Sequence, residues 1–260
     1  MDGVVAAVAR IAATGAPLVV VHGGGKEIDT ALATAGVEKR QVEGLRITDE
    51  ATLEIVVAVL AGAVNTRFVA ALLTAGTQAV GLTGADGACA LSAVAPPHRT
   101  VDGSAVDLGR VGLPSPNADM RLLHTLLDDG FVPVVASIGV DSEGRLLNVN
   151  ADTMAGHLAG RLRARRLVIA GSTAGVLDAA GRTIPLLDPL AIGQLVSGGT
   201  ATAGMIAKLR ACEQALTGGV DDVVIVDGRD QHALQAAASS SGGVVPRAAT
   251  RVITTVGTRS

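Results

Sequence analysis

Tryptophan and tyrosine are absent from these 260 residues, and phenylalanine occurs twice. Without aromatic faces there is almost no platform on which bases could stack. Charge is scarce as well. Only 17% of residues are charged, and 24 acidic against 21 basic groups leave a net charge of −3. No basic excess therefore speaks for a nucleic-acid partner. The two cysteines, Cys89 and Cys212, are too few and too far apart for a disulfide framework, and read as small core residues in a reduced compartment. The longest polar-free run near the first long helix, Ile55 to Val64, has ten residues, where about 20 span a bilayer. No basic segment follows Met1, so no signal peptide is read. The expectation is a cytoplasmic protein with neither a membrane nor a nucleic-acid partner.

What the chain does have is aliphatic bulk and glycine. It is 48% apolar and carries 33 glycines, enough apolar content to exclude a disordered chain. Its length suits one large domain or two lobes. Short continuous apolar runs of the buried parallel type alternate with helical periodicity. Strands are expected at Pro17–His22, Gln78–Leu82, Val132–Ile138, Arg166–Ala170 and Asp222–Val226. Helices are expected at Val4–Ala13, Lys26–Ala35, Asp49–Ala75, Asn117–Asp129, Asp152–Leu162, Pro189–Val196 and Met205–Leu216, with hairpins and loops from Ala88 to Val111. This alternation makes an α/β fold with a mostly parallel sheet, in which ligands bind at the carboxyl ends of strands.

Four segments are candidates for chemistry. His22-Gly23-Gly24-Gly25 joins a strand to a helix, where backbone N–H groups and the helix dipole favour an anion. It is neither a dinucleotide fingerprint, since Ile28 stands where glycine is needed, nor a Walker A loop, since Glu27 follows Lys26. A glycine turn needed only for packing remains open. Arg46, after Gly44, can grip a carboxylate in bidentate fashion or simply pair with Asp49 and Glu50. In Asn148-Val149-Asn150-Ala151-Asp152, the polar side chains can cap a helix, or donate to a substrate and orient lysines. Lys208 follows a glycine loop in the first turns of a helix, where a cation is normally disfavoured unless it faces phosphate or solvent. Lysine occurs only three times, at 26, 39 and 208. His98, His124, His157 and His232 read as surface or packing residues, and His22 as a brace for the glycine loop.

Together these segments resemble the acetylglutamate kinases of the amino acid kinase family. The stretches that carry the resemblance are VVVHGGGKEID (19–29), EGLRITD (43–49), LAGAVNTRFV (60–69), GLTGADG (81–87), GRVGLPS (109–115), GFVPVVASIGVDSEGRLLNVNAD (130–152), AGVLDAAGR (174–182) and AGMIAKL (203–209). The resemblance implies a three-layer α/β/α sandwich of the carbamate kinase-like type. It implies an N-terminal lobe, 1–163, for acyl-amino-acid binding and dimerisation, and a C-terminal lobe, 164–260, for ATP. The implied reaction is ATP-dependent phosphorylation of the side-chain carboxylate of N-acetyl-L-glutamate in arginine biosynthesis. Gly24 and Gly25 would donate N–H groups to the phosphoryl or acyl oxygen. Arg46 and Asn148 would hold the α-carboxylate and amide of the substrate. Asp152 would organise the catalytic lysines, and Lys208 would stabilise the transferring phosphoryl group. Ser172, Thr173, Ala174, Gly175, Val176 and Leu177, with Thr200, Ala201 and Thr202, would line the nucleotide site. Mg²⁺ would sit on the ATP phosphates, with no protein metal site, and the chain would form a homodimer.

The chain also departs from that pattern. No Lys-x-Gly-Gly precedes Pro17, Ala85 stands where the family has lysine, Ser172 stands for aspartate, and Ala203 opens the usual Asp-Gly-Met. The strand that carries Lys-x-Gly-Gly in the family would sit mid-sheet, so a longer natural protein and a truncated paralogue are both open readings. A catalytically impaired relative that binds acetylglutamate or nucleotide as a regulator, or a kinase for a related acylated amino acid, stands as the alternative function.

Overall fold

The computed structural model describes residues 2–100, 102–198, 203–239 and 248–254. The chain divides into two compact units, one of Pro17–Met154 and one of Met1–Ala16 with Ala155–Ser260. The first helix, α1 (Asp2–Ala12), belongs to the second of these. The family boundary at 163/164 would have put it in the other lobe. Its burial explains the difference, because Ala7 joins an apolar cluster made with residues 224–249.

In the Pro17–Met154 unit, β1 (Val20–His22) leads into α2 (Gly25–Thr34). A short hairpin follows, β2 (Gln41–Val42) and β3 (Leu45–Arg46). Its turn puts both Glu43 (φ 45°) and Gly44 (φ 78°) in the left-handed region, the backbone of a two-residue hairpin loop. Next comes one continuous helix of 25 residues, Glu50–Thr74. It comprises α3 (Glu50–Val57), a wide π-helical stretch at Ala58–Val64, and α4 (Asn65–Thr74). Val56, Leu60, Val64, Phe68 and Leu72 are buried, each four residues from the last. On an α-helix each such step overshoots a full turn by about 40°. The wide stretch, bonded five residues back, rotates less per residue and keeps the stripe facing the core.

This helix is long and apolar enough, by length and composition, to cross a membrane, and 33% of its most apolar window is buried. The ten-residue run seen in the sequence understated it, because Asn65 ends the run but not the helix.

The chain continues through β4 (Ala79–Thr83), β5 (Ser92–Val94), the small hairpin β6 (His98–Arg99) and β7 (Ala105–Val106), and β8 (Val111–Pro114). Then come α5 (Arg121–Asp128), β9 (Val132–Ala136), β10 (Ile138–Val140) and β11 (Leu146–Val149). Helix α5 begins four residues later than expected, because Asp119 bonds the Arg121 N–H at its start. The expected strand Val132–Ile138 is two strands in two sheets. One sheet is fully parallel, in the order β1-β9-β4, and the other runs β10-β11-β8-β5.

The remaining elements are α6 (Ala151–Arg161), β12 (Arg166–Gly171), β13 (Leu186–Leu187), α7 (Pro189–Ser197), α8 (Ala203–Thr217), β14 (Asp222–Asp227), α9 (Gln231–Ser239) and β15 (Ala249–Val252). Their sheet runs β12-β14-β15-β13, with β12 and β14 parallel. Side chains alternate across a strand, and β14 displays the result. Val223 and Ile225 enter a cluster with Leu209, Cys212 and Leu216 of α8, while Val224 and Val226 enter one with Ala233, Leu234 and Ala237 of α9. Helices therefore cover both faces, which makes this unit a three-layer α/β/α sandwich. The two short strands β13 and β15 were not expected from the sequence. Arg166 and Arg251 both pair with the buried Asp222 at the start of β14.

Candidate active site

The glycine loop leaves the carboxyl end of β1. Gly24 is the N-cap of α2, and Glu27 lies in the first helical turn. A side chain at 24 would start 2.8 Å from Leu60 Cδ2 and 3.3 Å from Val64 Cγ2, so the backbone approaches the wide helix as only glycine allows. His22 Nδ1 lies 3.1 Å from the Gly23 carbonyl and Nε2 lies 3.0 Å from Asn65 Nδ2. Burial lowers the His22 pKa below 6.5; the bond to Gly23 and the charge of Glu27 act the other way without overcoming it.

Arg46 ends β3 rather than standing directly before a helix. Its Nη2 pairs with Asp29 Oδ1 of α2 at 2.5 Å. The expected partners are engaged elsewhere: Asp49 with Arg40 at 2.6 Å, and Glu50 with Arg110 at 2.6 Å. Asp29 also holds Lys39 at 2.9 Å. Desolvation pushes the Asp29 carboxyl up, but its bonds to Arg46 and Lys39, and their charges, hold it below 3.8. The other terminal nitrogen, Arg46 Nη1, is buried and has no hydrogen-bond partner among the described residues. A buried cationic donor left unpaired is costly, and here it is a donor available to an incoming anion.

Asn148 sits on β11 and donates from Nδ2 to Thr48 Oγ1 at 3.1 Å. The Thr48 hydroxyl in turn donates to the Arg46 carbonyl at 3.4 Å. Thr48 is fully buried, so it ties together two candidates 102 positions apart in sequence. Neither Thr48 nor Asp29 stood out in the sequence, because a threonine and a helical aspartate carry no motif. Asn150 is a cap: its Oδ1 accepts from the N–H groups of Asp152 and Thr153 at 2.9 and 3.1 Å. Asp152 lies in the first turn of α6. At the loop where Ala85 replaces lysine, Asp86 accepts from the N–H and hydroxyl of Thr83 at 2.7 and 2.8 Å.

In the other unit, the loop from Ser172 to Leu177 follows β12. Gly175 has φ 82°, and a Cβ there would meet Thr250 Oγ1 at 2.5 Å and Thr250 N at 2.7 Å. The buried Thr250 accepts from Val176 N at 2.8 Å, Thr183 Oγ1 donates to the Ala174 carbonyl at 2.7 Å, and Thr173 Oγ1 to the Gly175 carbonyl at 2.8 Å. Arg229, after β14, donates to the Ser172 carbonyl at 2.8 Å and to Asp227 at 2.7 Å. Its bonds hold the Asp227 carboxyl at about 2. Three residues outside the loop, Thr183, Arg229 and Thr250, thus hold its backbone, and Arg229 and Thr250 were not among the expected site residues. Lys208 is half-buried on α8, in the second turn. Thr200, Ala201 and Thr202 lie outside the described residues. Among the described residues no three His, Cys, Asp or Glu side chains converge as a metal-ligand set.

The model of the amino acid kinase family matches residues 1–227. The chain belongs to the amino acid kinase family. It is similar to the acetylglutamate kinase of Bradyrhizobium diazoefficiens, 43% identical over 83% of this chain and 74% of the relative. It is 45% identical to that of Rhizorhabdus wittichii, over 85% and 75%. Among solved structures, its fold resembles N-acetylglutamate synthase from Neisseria gonorrhoeae in complex with coenzyme A and N-acetyl-glutamate. That match has a TM-score of 0.79 at 24% identity over 97% of this chain and 55% of the other. It also resembles the carbamate kinase of Giardia, with a TM-score of 0.64 at 15% identity over 97% and 90%. These matches bear out the α/β fold of carbamate kinase-like type and the identification as a kinase.

Proposed function

We propose that the chain phosphorylates the side-chain carboxylate of N-acetyl-L-glutamate with ATP, in arginine biosynthesis. The observation that carries this reading is Arg46, whose buried Nη1 is an unpaired donor beside the Asp29 pair and is linked through Thr48 to Asn148. A guanidinium that needs one anionic partner, with an amide close by, suits an acylated α-amino acid: the α-carboxylate on Arg46, the acyl amide on Asn148. Gly24 and Gly25 supply N–H groups to the phosphoryl or acyl oxygen. ATP occupies the loop of residues 172–177, and residues 200–202 are assigned to the same ligand. Lys208 neutralises charge on the transferring group, and Asp152 orients the lysines. A carboxylate nucleophile is already ionised, so positioning and charge neutralisation suffice without a base. Mg²⁺ belongs to the ATP phosphates in this reading. The described residues form no ligand set of their own, and no step is assigned to the metal.

The same reading makes the chain a cytoplasmic homodimer joined through the Pro17–Met154 unit. The apolar 25-residue helix, two-thirds of whose most apolar window is unburied, supports it as the face a second copy would cover.

The test is ADP release from ATP in the presence of N-acetyl-L-glutamate, compared with N-acetyl-L-aspartate and glutamate. Acceleration by acetylglutamate alone is expected. Preference for another acyl amino acid would move the substrate assignment. Binding of both ligands with no turnover would make the chain a regulator. Lys208→Ala should lower kcat about 10²- to 10³-fold, the usual cost of one transition-state contact, and near-normal turnover would remove its assigned role.

A further inference from the structure

Asn65, next to Val64 of the apolar stripe on the long helix, is itself buried, at 4% exposure. It stands immediately after the wide stretch, and its own N–H bonds back to Leu60 O, five residues earlier. A primary amide in such a place needs its hydrogen bonds. Its Nδ2 donates to Val134 O of β9 at 2.9 Å and to Leu82 O of β4 at 3.3 Å, and lies 3.0 Å from His22 Nε2 at the end of β1. One amide therefore bridges all three strands of the parallel sheet. The sheet leaves room for it at Gly81, where a Cβ would sit 2.1 Å from Asn65 Oδ1.

The orientation of that amide has a chemical consequence. Were it flipped, Oδ1 would face two carbonyl oxygens, acceptor against acceptor. The amide nitrogen facing them has two hydrogens and no acceptor, so a proton on His22 Nε2 would point at it with nothing to receive it; Nε2 therefore carries none. The ring proton is then on Nδ1, which donates to the Gly23 carbonyl. Nε2 is turned to the Asn65 amide, 3.0 Å away, so His22 is not read as a general base. The Gly23–Gly24 peptide is trans and planar, and in such a unit the C=O and the following N–H point in opposite directions. Holding the Gly23 carbonyl against His22 therefore aims the Gly24 N–H away from the ring. Leu60 and Val64 of the same helical stretch pack against Gly24.

We infer that Asn65 is a positioning residue: by fixing the His22 tautomer it aims the Gly24 N–H at the anion this loop receives. The kinetic part of this inference rests on the proposed function; the tautomer does not.

Two measurements test it. Ring ¹⁵N spectra of His22 should show a single neutral Nδ1–H tautomer in the wild type and a mixture in Asn65→Ala, or in Asn65→Ser if the alanine variant does not fold. An Nε2–H tautomer in the wild type, or an unchanged pattern in the variant, would overturn the inference. In acetylglutamate phosphorylation, Asn65→Ala should lower kcat about tenfold or more, as for a misdirected oxyanion donor, with KM little changed. In a His22→Ala background the same substitution should cost kcat almost nothing further, although the lost bonds to Val134 and Leu82 still lower Tm in both backgrounds. Additive kcat losses would make Asn65 purely structural. A wild type without turnover would sink the proposed function, and the ring spectra would still decide the role of Asn65.

Discussion

Replacing Arg46 should weaken binding of N-acetyl-L-glutamate without unfolding the protein. The guanidinium spends one nitrogen on Asp29 and keeps Nη1 buried and unpaired. A hydrogen bond to a charged group contributes about 1.5–3 kcal/mol, and 1.4 kcal/mol is about tenfold in Kd. Arg46→Ala should therefore raise Kd by about ten- to 150-fold. Arg46→Lys keeps the charge but not the fork, and should recover only part of this. The cost to folding is small, because Asp29 is partly exposed and retains Lys39 at 2.9 Å. Titration calorimetry on both variants, with melting curves alongside, separates the two effects. The ligand can be altered in the same experiment. The α-amide of acetylglutamate, which lacks the α-carboxylate, should bind wild type no better than acetylglutamate binds Arg46→Ala. The assignment fails if Arg46→Ala stays within about threefold of wild-type Kd while remaining folded.

Three further outcomes are expected. Gly175→Ala forces a left-handed alanine, at about 1–2 kcal/mol, and a clash with Thr250, at about 1–3 kcal/mol; urea unfolding should show a loss of about 2–5 kcal/mol. Arg229→Ala releases the Ser172 carbonyl, so fluorescent-nucleotide titration should find ATP affinity reduced by up to about tenfold, with acetylglutamate affinity unchanged. Burial and, secondarily, Arg161 hold the His157 pKa at about 4, below 6.5. The folded state then binds fewer protons than the unfolded one, so stability falls as pH drops from 6.5 and levels off below about 4. At about 1.4 kcal/mol per pH unit, the loss is about 2 kcal/mol between pH 7.5 and 5. His157→Leu should lack that part of the slope, and an NMR titration of His157 near 6.5 would contradict it.

Much of this was legible from residues alone. Continuous apolar runs marked β9, β12 and β14, because a buried parallel strand needs apolar side chains on both faces. His22-Gly23-Gly24-Gly25 marked a strand-to-helix junction. The two-residue strands β2, β3 and β13 left no periodic signal, being too short to have one. Arg46 could be singled out but not paired, since the nearby acids Asp49 and Glu50 looked like better partners than Asp29, 17 residues back. Asn150 as a cap was one of two readings of its segment, and backbone geometry chose it. The membership of α1 in the C-terminal unit could not be read locally, because it depends on what Ala7 packs against.

By itself, the sequence determined the α/β class, the order of elements, and the glycine loops at strand ends, all of which follow from local periodicity and backbone freedom. Only the tertiary structure decided which donors are buried and unpaired, which side chains hold the loops, and where the proton of His22 sits. Those properties arise between groups that are distant in the chain, such as Asn65 with His22, Leu82 and Val134, or Thr48 with Asn148. Desolvation and hydrogen-bond geometry come into being only when folding brings such groups together.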